Sequence, residues 1–131
     1  MRKTFIVMLC MLLLSVCVRA ADTDITYLAK AISAACGEEP YVVRVAYGEM
    51  LLNRVDSDRF PDALPAVLYS LHGGRIPLQK PTESDLRAAA AAHRRFGFAD
   101  GALYAQKWSE VQNTPLVMRS GVLLYGWYFY I

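Results

Sequence analysis

The sequence predicts an α+β domain, about four helices packed on a small antiparallel sheet, preceded by a removable leader. Three observations carry this. The first two thirds of the chain show apolar residues at helical spacing. The last third changes to short aliphatic and aromatic runs separated by glycine. Helices first and strands after is the order of an α+β fold rather than of alternating βαβ units.

The leader comes first. Arg2 and Lys3 form a basic start, residues 5–18 are almost wholly apolar, and Val18-Arg19-Ala20 offers small or aliphatic residues where a signal peptidase reads. This fourteen-residue run, broken only by Ser15, falls short of the roughly 20 that a bilayer span needs. The expectation is therefore a signal peptide over 1–20, cleavage after Ala20, and a secreted or extracytoplasmic domain over 21–131 with no stable membrane insertion afterwards. An uncleaved membrane anchor is the alternative. Cleavage removes three of the fourteen basic residues and leaves eleven against twelve acidic ones, a net charge of −1. The basic pI of the whole chain is no argument for nucleic acid. Of three cysteines, Cys10 and Cys17 leave with the leader; Cys36 has no partner for an intramolecular disulfide.

The elements follow in order. Asp24 is a good N-cap for a helix over 25–35, with Ile25, Leu28, Ala31, Ile32 and Ala35 on one face and Gly37 as the stop. Glu39 precedes a proline and is pushed from helical geometry, so a second helix starts with Pro40 in its first turn and runs to about Val55. A polar turn over 56–61 leads to a short helix over 65–69. Residues 72–81 are a loop broken by Gly73, Gly74, Pro77 and Pro81. Thr82 and Asp85 resemble a capping box for an Ala-rich helix over 86–96 that ends at Gly97. Strands are expected over 102–105 and within 115–131, with Ser120-Gly121 as a hairpin turn.

The stretch Leu28 to Val55 carries a resemblance. Leu28-Ala29-Lys30-Ala31, Gly37-Glu38-Glu39-Pro40-Tyr41, Val45-Ala46 and Leu52-Asn53-Arg54-Val55 align without a gap to a pattern close to LARAVYGEARGEPYEGQVAVAAVVLNRV. That pattern is similar to the SleB-type cell-wall hydrolases, the spore cortex-lytic family. Arg59-Phe60-Pro61, Val67-Leu68-Tyr69, Gly74-Arg75-Ile76, Gly101-Ala102-Leu103-Tyr104 and Phe129-Tyr130 echo later family segments in order. The resemblance implies the SleB-type topology and an exported enzyme acting on peptidoglycan glycan strands of wall or cortex. It implies a lytic transglycosylase with one glutamate as general acid/base and no metal or other cofactor. The acid protonates the glycosidic oxygen, and the sugar's own 6-hydroxyl captures the developing cation in place of water.

The chain departs from the pattern where that chemistry resides. Ala35 stands at the family's catalytic glutamate, and a methyl group carries no proton. Loss of a general acid typically costs roughly 10²–10⁴-fold in rate. The motif's arginine is Gly37 or, one place off, Cys36; the aromatic loop after the third helix shortens to Ser70-Leu71-His72-Gly73; and a histidine becomes Trp127. Three carboxylates are candidates for a displaced acid. Glu39 matches the family's second glutamate. Glu38 lies three residues beyond Ala35, where a solvated loop charge is the plain reading. Glu49 lies on the apolar face of the second helix, where burial would raise its pKa, or where Arg44 or Arg75 would pair with it. Tyr41, Asn53, Tyr104 and Trp127 are the substrate-binding candidates. Two functions stay open: a weak or silent relative that binds glycan strands or a partner wall hydrolase, and an active lytic transglycosylase using a displaced carboxylate.

Other chemistry has less behind it. Cys36 with His72 or His93 allows a Cys–His peptidase reading, and these residues lack metal-site spacing. Arg87, Arg94 and Arg95 mark one helix that could touch anionic wall polymers or be solvated. Among the tail aromatics Tyr104, Trp108, Tyr125, Trp127, Tyr128 and Tyr130, alternate ones fill the core; Trp127 and Tyr128 are expected on opposite sides of one strand.

Overall fold

The computed structural model describes residue 6, residues 23–111 and residues 121–131. The leader and the expected strand start near Pro115 lie outside these. The order is α1 (23–36), α2 (Tyr41–Asp56), α3 (Leu64–Leu71), α4 (Glu83–His93), β1 (Tyr104–Lys107), α5 (Trp108–Val111), β2 (Gly121–Leu124) and β3 (Trp127–Tyr130). The fold is α+β, with five helices among the described residues and one three-stranded antiparallel sheet of order β1-β3-β2.

α2 is the central element and touches α3, α4, β1 and β3. Val43, Val45, Ala46, Met50 and Leu51 along it are fully buried or nearly so. From α1, Leu28, Ala31 and Ile32 are completely buried, while Ile25 and Ala35 pack partly buried against the same core. Gly48 sets the spacing of three helices. A Cβ there would lie 2.7 Å from Ala92 Cβ and 3.2 Å from Ile32 Cδ1. A mid-helix glycine costs about 1 kcal/mol of propensity relative to alanine, and here it permits the close approach of α1 and α4.

Several element boundaries differ from expectation. α1 already includes Thr23, so Asp24 lies within the helix instead of capping it. Pro40 is the N-cap of α2. The capping box of α4 forms in full: Thr82 Oγ1 accepts from the Asp85 amide, and Asp85 Oδ2 accepts from the Thr82 amide. α4 ends at His93, short of Gly97. Arg95 takes the left-handed conformation (φ 60°) that turns the chain, because its guanidinium is drawn back to Asn53 Oδ1 at 2.8 Å and Asp56 Oδ2 at 2.7 Å. The hairpin turn is Tyr125-Gly126, with φ 45° and 82°, and Gly121 begins a strand. Two consecutive positive φ values give the twist that a two-residue hairpin needs, here at the cost of a left-handed tyrosine.

β3 divides the tail aromatics. Trp127 and Phe129 enter the main core, whereas Tyr128 and Tyr130 form a second cluster with Tyr104 and Trp108. The alternation is that of any strand.

Candidate functional site

The end of α1 is the place to build from, since the resemblance puts the proton donor at Ala35. Ala35 is half-buried against the core. Its neighbour Ala34 is exposed and lines a cavity of about 720 Å³ with Tyr69, His72, Gly74, Arg75, Ile76, Pro77 and Leu78. The cavity exists because α3 ends at Leu71 and the following chain, bent by Gly73 and Gly74 at positive φ, returns past α1. Its lining is mostly apolar and includes no carboxylate. Burial lowers the pKa of His72, favouring the neutral imidazole. Tyr69 is more than half exposed, a ring face available for contact.

Behind Ala35 the structure is closed and charged. Cys36 is buried, and burial pushes its thiol up to about 12, with Arg44 pulling down and Glu39 and Asp85 adding to the rise. A nucleophilic cysteine needs the opposite shift, and His93 lies exposed on α4. The Cys–His reading is thereby corrected. Arg44 reaches from α2 to Asp85 on α4 at 3.1 Å, an ion pair with side chains 12% and 2% exposed. Burial alone would raise Asp85. Hydrogen bonds from the Thr82 amide and hydroxyl, from Arg44 and from Ser33 outweigh it and hold the carboxyl below its usual range. Asp85 thus joins α1, α2 and α4 as an ionised acceptor with no proton to give at neutral pH. Sequence reading saw its capping role and missed the ion pair, because nothing local marks a partner 41 residues away.

The three acidic candidates part company. Glu38 is exposed in the α1–α2 turn. Glu39 is partly buried and faces Lys107 Nζ at 3.8 Å, which ties the α1–α2 turn to the end of β1. Glu49 is 3% exposed, and its two carboxylate oxygens accept from the amides of Gly97 (2.8 Å) and Phe98 (3.3 Å). Neither Arg44 nor Arg75 is its partner; it is an anchor for the turn after α4. The burial foreseen for Glu49 is there, and the hydrogen-bond partner is backbone.

The substrate-binding candidates are likewise dispersed. Asn53 donates to the Ala102 carbonyl at 3.0 Å and accepts from Arg95. Arg54 Nε donates to the Leu103 carbonyl at 2.6 Å, with its guanidinium over the Phe60 and Tyr104 rings. The two residues clamp the backbone that enters β1. Tyr104 stacks on Tyr130 at 5.3 Å and accepts from Arg59. Trp127 is 7% exposed, edge-on to Tyr47 at 6.2 Å, with Lys107 Nζ 5.9 Å above its ring. Its indole N–H is buried without a hydrogen-bond partner among the described residues. Burial also raises Tyr47 to about 12, with Cys36 adding to the rise. Tyr41 is 45% exposed beside α4 and donates a long hydrogen bond to the Arg87 carbonyl. Of these four, Tyr41 alone keeps a ring largely open to solvent. Among the described residues no group of three His, Cys, Asp or Glu side chains comes together as a metal site would require, and no helix is long and apolar enough to cross a membrane.

No family profile matches the chain. A spore cortex-lytic enzyme of Halalkalibacterium halodurans is 39% identical over 49 residues, which are 37% of this chain and 15% of that protein; the match spans a small part of that relative's length. The architecture compares over far more of the chain. The catalytic domain of the Bacillus cereus SleB protein superposes with a TM-score of 0.70 at 22% identity, covering 82% of this chain and 89% of that one. The catalytic domain of the germination-specific lytic transglycosylase SleB from Bacillus anthracis gives 0.67 at 23% identity, covering 82% and 93%. The fold is that of the SleB catalytic domain.

Proposed function

We propose that this chain, built on the SleB catalytic-domain fold, is an exported peptidoglycan-directed protein that recognises glycan strands and has weak or no lytic activity. The observation that carries the reading is Ala35. The position that would deliver a proton to the glycosidic oxygen holds a methyl group, and the adjoining 720 Å³ cavity has no carboxylate in its lining. The displaced-acid alternative has less support. Glu39 is engaged with Lys107, Glu49 with two backbone amides, and Glu38 projects into solvent. The cavity itself suits a sugar: apolar C–H faces can lie against Tyr69, Ile76 and Pro77, with Arg75 at its edge for a carboxylate.

Export follows in this proposal from the leader over 1–20, and the secreted protein is expected to begin at Ala21; N-terminal sequencing of the culture fluid or wall fraction checks this. The functional test is incubation of the purified protein with purified cortex and vegetative peptidoglycan. Sedimentation with the wall and no release of soluble anhydro-muropeptides is expected. Release of anhydro ends by the natural protein overturns the silent reading. Ala35→Glu restores the donor. A gain of roughly 10²-fold or more over the natural protein is expected where the cavity alone suffices to hold the strand; an inert variant that still binds shows that the shortened 70–73 loop and Trp127 have also removed the positioning.

A further inference from the structure

A second recess shares no lining residue with the cavity at Ala34. It has a volume of about 290 Å³ and is formed by Tyr41 at the start of α2 and by Arg87, Ala90, Ala91, Arg94 and Phe96 on and after α4. Positions 87, 90, 91 and 94 recur at three- and four-residue steps, so they form one stripe of the helix. The two alanines make a floor of methyl groups, with a guanidinium at each end. Two helical turns separate the arginines, on the order of 10 Å along the axis. Tyr41 is 45% exposed and Phe96 60%, and Phe96 stacks on Phe98 at 6.1 Å, which holds the ring up from the surface.

The charges are what set this recess apart. Arg44 is used by Asp85, and Arg95 by Asn53 and Asp56. Arg87 and Arg94 line the recess, and no carboxylate does. Glu83 meets Arg87 at 3.6 Å with both side chains mostly in water, a surface pair that a ligand displaces at little cost. A chain whose expected exported form carries a net charge of −1 thus concentrates positive charge between two exposed aromatic rings.

We infer that this recess binds the carboxylate-bearing arms of a wall glycan, with Arg87 and Arg94 taking carboxylates and Tyr41 and Phe96 packing against sugar or peptide C–H faces. Guanidinium forks match carboxylates in geometry as well as charge, and aromatic faces accept apolar sugar surfaces. The inference rests on the glycan-binding reading and adds a second point of attachment to it. Two guanidiniums line this recess, where the Ala34 cavity has Arg75 alone.

The test is a binding series with the purified protein. Co-sedimentation is measured with peptide-bearing peptidoglycan, and fluorescence titration with a soluble N-acetylglucosamine oligomer that carries no carboxylate. The double variant Arg87→Gln, Arg94→Gln is expected to weaken peptidoglycan binding by roughly tenfold, the sum of two exposed charge contacts, and to leave the neutral oligomer unaffected. Phe96→Ala is expected to weaken both. Lys80→Gln, which removes the same charge from an exposed site elsewhere, is expected to bind as the natural protein does. Thermal melting shows whether each variant is folded; if the double variant is not, Arg94→Gln alone must still weaken binding several-fold. Peptidoglycan binding by the folded arginine variants equal to that of the natural protein overturns the inference and leaves the glycan reading standing. Absence of peptidoglycan binding by the natural protein overturns both.

Discussion

Two regions of this molecule share one family resemblance and have kept different parts of it. At the junction of α2 with β1, Asn53 and Arg54 hold the carbonyls of Ala102 and Leu103 across 49 residues of sequence. At the end of α1, Ala35 stands where the pattern has a glutamate, packed partly buried against the core cluster that includes Cys36, Tyr47 and Trp127. The first region answers to the backbone: its side chains satisfy groups that every chain of this topology must bury. In the second, a methyl group stands where the resemblance puts a proton donor, and a methyl group has no hydrogen bond to satisfy, so the fold can carry it without a new buried polar group. Within the motif Leu52-Asn53-Arg54-Val55, Asn53 and Arg54 both serve the fold by holding backbone carbonyls.

If that division is right, the harshest substitutions fall on the clamps and leave glycan binding intact in whatever remains folded. The largest effect is expected from Asp85→Ala. It removes the N3 half of the α4 capping box, leaving the Thr82 amide without its acceptor, and abandons Arg44 as a buried unpaired charge, for a loss of about 3–5 kcal/mol. Urea denaturation measures it. Asp85 also sets a pH signature. Its folded pKa is lowered, so its contribution to stability is complete above the unfolded value of about 3.9 and disappears as pH falls through the lower folded value. An Asp85→Asn variant should show a shallower loss of stability than the natural protein as pH falls below about 4. An unchanged acid limb would show that Asp85 is not held by Thr82, Arg44 and Ser33 as described.

Arg54→Ala comes next. It leaves the Leu103 carbonyl without its donor and strips the cation from two aromatic faces, an expected loss of about 2–3 kcal/mol. Near-neutral stability with altered glycan binding would reverse the comparison and make the motif functional after all.

Glu49→Gln sharpens the same contrast at about 1 kcal/mol, since a charged acceptor of two amides becomes a neutral one. The informative readout is activity. In an Ala35→Glu background that has gained lytic activity, Glu49→Gln should leave anhydro-muropeptide release unchanged. Loss of that activity would make Glu49 more than an anchor.

What could be read in the sequence follows the same physical line. The capping box, the burial of Glu49 and the division of Trp127 from Tyr128 were legible because each depends on spacing within one element. The partners were not. The amides of Gly97 and Phe98 that meet Glu49, and the carbonyls that meet Asn53 and Arg54, come from chain nearly fifty residues away. Glycine adopts positive φ most easily, so the sequence points to Gly97 as the end of α4; Gly97 is indeed left-handed, but Arg95, held by two distant acceptors, already is, and the helix stops at His93. The internal partners of Asn53, Tyr104 and Trp127 were not legible either, since a polar or aromatic side chain looks the same in sequence whatever it faces.

The smallest effect concerns the hairpin, which delivers Trp127 into the altered region. Tyr125 stands at φ 45°, and Gly126 at 82° follows it. A two-residue turn with both central residues left-handed favours Asn-Gly, because asparagine tolerates that conformation better than tyrosine does. Tyr125 is 70% exposed, so its ring contributes little packing. Tyr125→Asn is therefore expected to stabilise the protein by about 0.5 kcal/mol and raise its melting temperature by a few degrees. Gly126→Ala should do the reverse by about 1 kcal/mol. Both changes act on the β2–β3 register and touch no residue of the Ala34 cavity. A gain in stability without a change in peptidoglycan binding would show that the sheet holding Trp127 is scaffold. If tightening the hairpin instead weakens binding, the sheet must move to admit a strand, and the closed packing of Trp127 on Tyr47 is one of two states of the site.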